Sequence, residues 1–89
     1  MSAPREKRIV VIQNGWVLAG EFIEHDGHVE LENATVIQRW GTTKGLGELA
    51  LSGPTKESVI HPIGRATVPS RAVLFSLPIS PAVAAKWPR

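Results

Sequence analysis

Two dipeptides, Asn14-Gly15 and Asp26-Gly27, constrain the fold of this chain more than anything else in it. Each lies between runs of apolar and β-branched residues. Each offers two neighbouring positions that tolerate positive φ, which a tight hairpin turn needs if its twist is to match the strands it joins. The stretch between them, WVLAGEFIEH (16–25), is then a strand, with RIVVIQ (8–13) before it and HVELEN (28–33) after it. HVELEN alternates, with Val29 and Leu31 to one face and His28, Glu30 and Glu32 to the other. ATVIQRW (34–40) reads as a fourth strand. Gly20, in the middle of the second, marks a bulge or a bend of the kind that lets a small sheet close on itself.

Further on, GRATV (64–68) and RAVLFSLPI (71–79) flank Pro69-Ser70 and read as a closing strand pair, or as one strand bent at the proline. The fold expected is mainly β: a small SH3-like or Sm-like β-barrel of five to six strands, with one short helix inserted before the last strands. The 89 residues suffice for one domain, 1–89. Its expected parts include a flexible N-terminal tail (1–7), a Gly/Thr/Lys-rich insert (41–58) and a C-terminal tail (80–89). In that last tail Ser80 precedes a single helical turn with Pro81 at its first position.

So short a chain has a marginal core, and it has no cysteine to staple it. Closure of the barrel or burial against further copies must supply the remainder, so a homo-oligomer is expected. A hydrophobic content of 43% argues against global disorder. The net charge of +2 is weaker than a dedicated duplex-DNA binder carries. Part of it lies in PREKR (Arg5, Lys7, Arg8), which reads as a solvated tail. No run approaches the roughly 18 apolar residues of a membrane span, and no apolar segment of signal-peptide type follows the first charges. The expectation is a cytoplasmic protein without a membrane partner.

The segment RWGTTKGLGELALSGPTKES (39–58) interrupts the β pattern. LGELALSG (46–53) is its one helix, with Leu46, Leu49 and Ala50 on one face. Thr42 or Thr43 is placed to cap its start, and Ser52-Gly53 with Pro54 to end it. Gly45 and Gly47 each weaken such a helix by roughly 1 kcal/mol relative to alanine. Glycine also allows close backbone approach, to a packed neighbour or to a ligand. Lys44 stands at the helix start, and Arg39, Thr42, Thr43 and PTKES (54–58) add donors, which is the chemistry of a phosphate site. The spacing is not that of a P-loop. Trp40, beside Gly41, is placed either to stack on a base or to cover a barrel end. The candidate ligand-binding set is therefore Arg39, Trp40, Gly41, Thr42, Thr43, Lys44, Gly45 and Lys56. The competing reading makes the segment a plug with Leu46, Leu49 and Leu51 in the core.

His25 and His28 flank a hairpin tip, where side chains face solvent and no third ligand is near, so no metal is expected. Glu21, Glu24, Glu30 and Glu32 read as a solvated face. With no nucleophile elbow, catalytic cysteine or cofactor fingerprint, neither an enzyme nor a cofactor is expected.

QNGWVLAGEFIEHDGHVEL (13–31) resembles the first Sm-type motif, through Gly15 at a polar turn, Gly20 within a strand, and Asp26 before alternating apolar residues. The resemblance implies a ring that binds RNA. Glu30 stands where that motif has asparagine, and Gly64-Arg65 reverses the Arg-Gly of its closing half. NATVIQRWGTTKGLGELALSGPTKES (33–58) with VPSRAVLFSLPI (68–79) resembles an uncharacterised family of small phage and prophage proteins, a domain of unknown function. That likeness implies a viral or mobile-element origin and no particular activity. Two function classes follow. One is a module for a nucleotide or short nucleic acid, for example one that sequesters a host signalling nucleotide. The other is a structural or protein-interaction component, such as part of a virion or a regulatory ring.

Overall fold

Both turns form as their residues require. Asn14 and Gly15 have φ of 68° and 81°, and Asp26 and Gly27 have φ of 48° and 76°. In the computed structural model, which describes residues 6–41 and 45–87, these turns join β1 (Lys7–Ile12), β2 (Val17–His25) and β3 (His28–Arg39). A helix, α1 (Leu46–Ser52), precedes β4 (Val59–Pro69) and β5 (Val73–Pro78), and a short α2 (Pro81–Ala84) follows. The strands form one antiparallel sheet in the order β4-β3-β2-β1-β5.

HVELEN and ATVIQRW are not two strands but one, the twelve-residue β3. Asn33, which reads in sequence as a terminator, has φ of 50° and sits in a bulge. There the register with β2 jumps from Glu21↔Glu32 to Ala19↔Thr35. Asparagine tolerates positive φ better than most residues, and its Nδ2 donates to Glu21 Oε2 at 2.7 Å. Gly20 lies opposite. A Cβ on it would come within 3.0 Å of Glu32 O and 3.1 Å of the Ala34 Cα. The two backbones therefore cross here as closely as a missing side chain permits. Gly20→Val should lower stability by roughly 1–3 kcal/mol, measured as a shift of the urea midpoint; an unmoved midpoint would mean that the strands do not cross at this point.

The bulge also exchanges the faces of β3, so the sheet packs on both sides. Val10, Leu18, Val29, Leu31, Ala34 and Val68 form one cluster, with Val73 packed against it. Val68 belongs to β4 and Val73 to β5, at opposite ends of the strand order, so the sheet must curl for both to reach one core. The alternate residues Ile9, Val17, Ala19 and Ile37 form the other cluster with Leu46, Leu49 and Ala50 of α1, Ile79 and Trp87.

β4 and β5 neither pair with each other nor form one bent strand. They are the two edges, joined by the 3-10 turn Ser70–Ala72. β4 also starts at Val59, five residues before the GRATV stretch, and carries Pro62. Proline is tolerated because an edge strand has one side free of ladder bonds.

Neither tail is loose where it is described. Lys7 opens β1 and is buried, and Glu6 O accepts from Phe22 N at 2.9 Å. Arg8 is half-buried: its Nε donates to Ser76 Oγ at 3.0 Å and its guanidinium lies 5.6 Å from the Phe22 ring centroid. At the other end, α2 begins after Ser80 with Pro81 in its first turn. Ser80 N donates to Ala50 O at 2.9 Å, and Trp87 is 4% exposed with its Nε1 donating to Thr35 Oγ1 at 3.0 Å. No helix among the described residues is long and apolar enough to cross a membrane.

Candidate functional site

The helix of the 39–58 segment forms where its periodicity places it. Leu46, Leu49 and Ala50 are buried, and Gly53 ends it with φ of 89° and its N–H on Leu49 O at 2.9 Å. Two expectations fail. Leu51 is 71% exposed and not core, because it falls off the 46/49/50 face. The N-cap is Gly45, with φ of 81° and no side-chain cap, rather than Thr42 or Thr43. Gly47 has open space where its Cβ would be, so no packed neighbour explains that glycine.

Of the candidate set, Arg39 ends β3 and is exposed, Trp40 is 42% exposed, and Lys56 is exposed at the turn after the helix. Gly41 and Gly45 are half-buried, and Gly45 lies beside the Trp40 ring. Thr42, Thr43 and Lys44 lie outside the described residues. The hydroxyls of PTKES have structural partners instead of facing a ligand. Thr55 Oγ1 donates to Gly41 O at 2.6 Å, Ser58 Oγ donates to Trp40 O, and Thr55 N donates to Ser58 Oγ at 2.9 Å. The 55–58 turn is thereby fastened to the end of β3. This removes two of the expected donors and leaves Arg39 and Lys56 as the described cations of the segment.

Around the Asp26-Gly27 turn, His25 Nε2 is 3.6 Å from Glu30 Oε2, and His28 Nδ1 is 3.0 Å from Asp26 O. Among the described residues no three His, Asp or Glu side chains gather closely enough to hold a metal. The glutamates bond to their neighbours: Glu24 accepts from Ser70 Oγ at 3.1 Å, and Glu32 pairs with Arg65 at 3.3 Å.

Two further surfaces lie outside the 39–58 segment. The first is the pair of sheet edges. Residues 61–65 of β4 are all exposed, Ile63 among them, and β5 exposes Leu74 and Phe75. Edge strands present unused backbone groups that can template another strand. The second is Trp16, 59% exposed directly after the first turn, beside a groove between β2 and β3.

The architecture matches a solved structure of a heptameric archaeal Sm protein, with a TM-score of 0.54 at 17% identity over 84% of this chain and 87% of that one. The fold is Sm-like. No family model matches the chain, and no curated protein does.

Proposed function

We propose that this chain is a ring-forming, non-enzymatic module that binds a nucleotide or a short nucleic acid. The observation that carries the reading is the pair of edge strands at opposite ends of one curled sheet, β4 exposing Ile63 and β5 exposing Leu74 and Phe75. The β4 edge of one copy accepts the β5 edge of the next by strand addition. Such a contact joins two different surfaces, so it repeats head to tail and closes if the rotation per copy allows. The solved neighbour, itself a heptamer, supports this. For the ligand, Arg39 and Lys56 with the half-exposed Trp40 supply cations and a stacking face, and Lys44 adds a third cation in sequence. In a chain of phage or prophage origin, which 33–58 and 68–79 resemble, sequestering a host signalling nucleotide is the use this reading suggests.

Light scattering at micromolar concentration should give a single multimer mass for the wild type. Phe75→Lys should reduce it to the monomer with an unchanged far-ultraviolet circular dichroism spectrum. A wild-type monomer at high micromolar concentration would refute the ring. Calorimetric titration with mono-, di- and cyclic nucleotides should show binding that weakens with salt, because exposed phosphate contacts are screened, and that weakens again in Lys44→Ala.

A further inference from the structure

At the end of the sheet where β1 turns into β2, the β2–β3 ladder starts only at Leu18↔Val36. Beyond that pair lies a groove of about 530 Å³, walled by Asn14, Trp16 and Val17 on one side and Val36, Ile37 and Gln38 on the other. Three properties define what it can hold. No ionisable side chain lines it. Its largest wall is the Trp16 indole, which is left mostly in water. Ile12 N donates to Trp16 O at 2.9 Å, which fixes the backbone of Trp16 at the turn. Finally, two of the lining residues, Asn14 and Gln38, carry carboxamides. Gln38 Oε1 is 3.0 Å from His61 Nε2, and with that oxygen accepting from the ring, the Gln38 NH2 remains as a donor. Asn14 adds both a donor and an acceptor.

We propose that this groove is a nucleobase slot, in which a base stacks on Trp16 and its polar edge is read by Gln38 and Asn14. A phosphate gains nothing from a neutral lining. A purely apolar side chain would desolvate two amides without replacing their hydrogen bonds, which costs more than it returns. A base is flat, neutral and edged with donors and acceptors, and so fits all three properties. The slot is walled by the first hairpin, β2 and β3, and it adjoins the β4 edge through His61, the partner of Gln38. It also divides the labour along one strand, since Gln38 is followed directly by the exposed Arg39. The inference rests on the nucleotide-binding reading above and goes beyond it in naming a base-recognition site outside the 39–58 segment.

The probes are adenosine, cytidine, guanosine and uridine, short homopolymers of each, and ribose 5-phosphate as a base-free control. Nucleoside binding is read by quenching of tryptophan fluorescence in a Trp40→Phe background, where Trp16 is the exposed indole among the described residues, and homopolymer binding to every variant is read by calorimetric titration. At least one nucleoside should quench and ribose 5-phosphate should not. Trp16→Ala should weaken homopolymer binding about tenfold or more, Trp16→Phe should recover part of it, and Gln38→Ala should alter the ranking of the bases. Homopolymer binding unaffected by Trp16→Ala but weakened by Lys44→Ala would overturn the slot and leave the nucleotide-binding reading standing. Binding of none of the probes would overturn both. A Trp16→Ala protein with altered light-scattering mass would assign the groove to contact between copies and overturn the slot as well.

Discussion

Trp87→Ala is expected to cost about 3–5 kcal/mol of stability, the range for truncating a large buried aromatic. Trp87 is the last buried residue of the described chain and closes the helix-side core, where it joins Ile9 of β1, Ile37 of β3 and Leu49 of α1. Removing the ring opens a cavity among these elements. It also strips the donor from Thr35 Oγ1, which is 0% exposed in the intact core. Small domains are stable by only about 5–15 kcal/mol, so a loss of this size is a large share of the total. Trp87→Phe separates the two contributions. It keeps most of the volume and should cost about 1–3 kcal/mol, as expected for an orphaned buried hydroxyl. Adding Thr35→Val to Trp87→Phe should then recover part of the loss, because both partners are gone. Denaturant midpoints for the four proteins test this. A Trp87→Ala midpoint close to the wild type would show that the C-terminal segment does not seal the core.

That contact shows why part of the fold cannot be seen in the sequence. The turns can be, because positive φ is a local demand that Asn-Gly and Asp-Gly meet on their own. The helix face can be too, since Leu46, Leu49 and Ala50 follow its period. Leu51 is as hydrophobic as its neighbours, but its angle on the helix turns it to solvent. What resists reading depends on a partner far along the chain. Trp87 finds Thr35 across 52 residues, so the C-terminal stretch looks like a tail until β3 is in place. Asn33 looks like a strand end until Gly20 lies opposite and β3 continues through a bulge. Likewise, nothing near GRATV or VLFSLP says that these strands end on opposite edges; β4 is fixed by pairing with β3, and β5 by pairing with β1.

The candidate site divides in the same way. Composition marks 39–58 as a cluster of hydroxyls and cations. It does not distinguish a hydroxyl that meets a ligand from one that holds a turn, and Thr55 and Ser58 prove to hold a turn. The groove beside Trp16 exists because β2 and β3 stop pairing at Leu18↔Val36. One local signal was present: a tryptophan immediately after an Asn-Gly turn leaves the strand ladder before it can be covered.

Gly41→Ala is expected to cost about 3 kcal/mol or more. Its φ of 66° is a left-handed conformation that a Cβ disfavours by roughly 1–2 kcal/mol. The larger part is steric. A Cβ here would overlap the Glu57 carbonyl carbon and the Ser58 nitrogen, and would lie 2.5 Å from Glu57 O. All three are backbone atoms, so no rotamer change relieves the overlap, and the 55–58 turn must move as a unit. That turn is fastened at the same place: Thr55 Oγ1 on Gly41 O, Ser58 Oγ on Trp40 O, and Glu57 N on Thr55 Oγ1 at 3.1 Å. Pushing it away therefore breaks the bonds that connect the end of β3 to the start of β4. Gly15→Ala is the control, because Gly15 has a comparable φ of 81° but open space around it. It should cost only the left-handed penalty, and the difference between the two urea midpoints isolates the overlap. If the two variants lose the same stability, the 55–58 turn is not held against β3. Lys56 and the cations around it would then be free to move independently of Trp40, and a ligand surface built from both would have no fixed geometry.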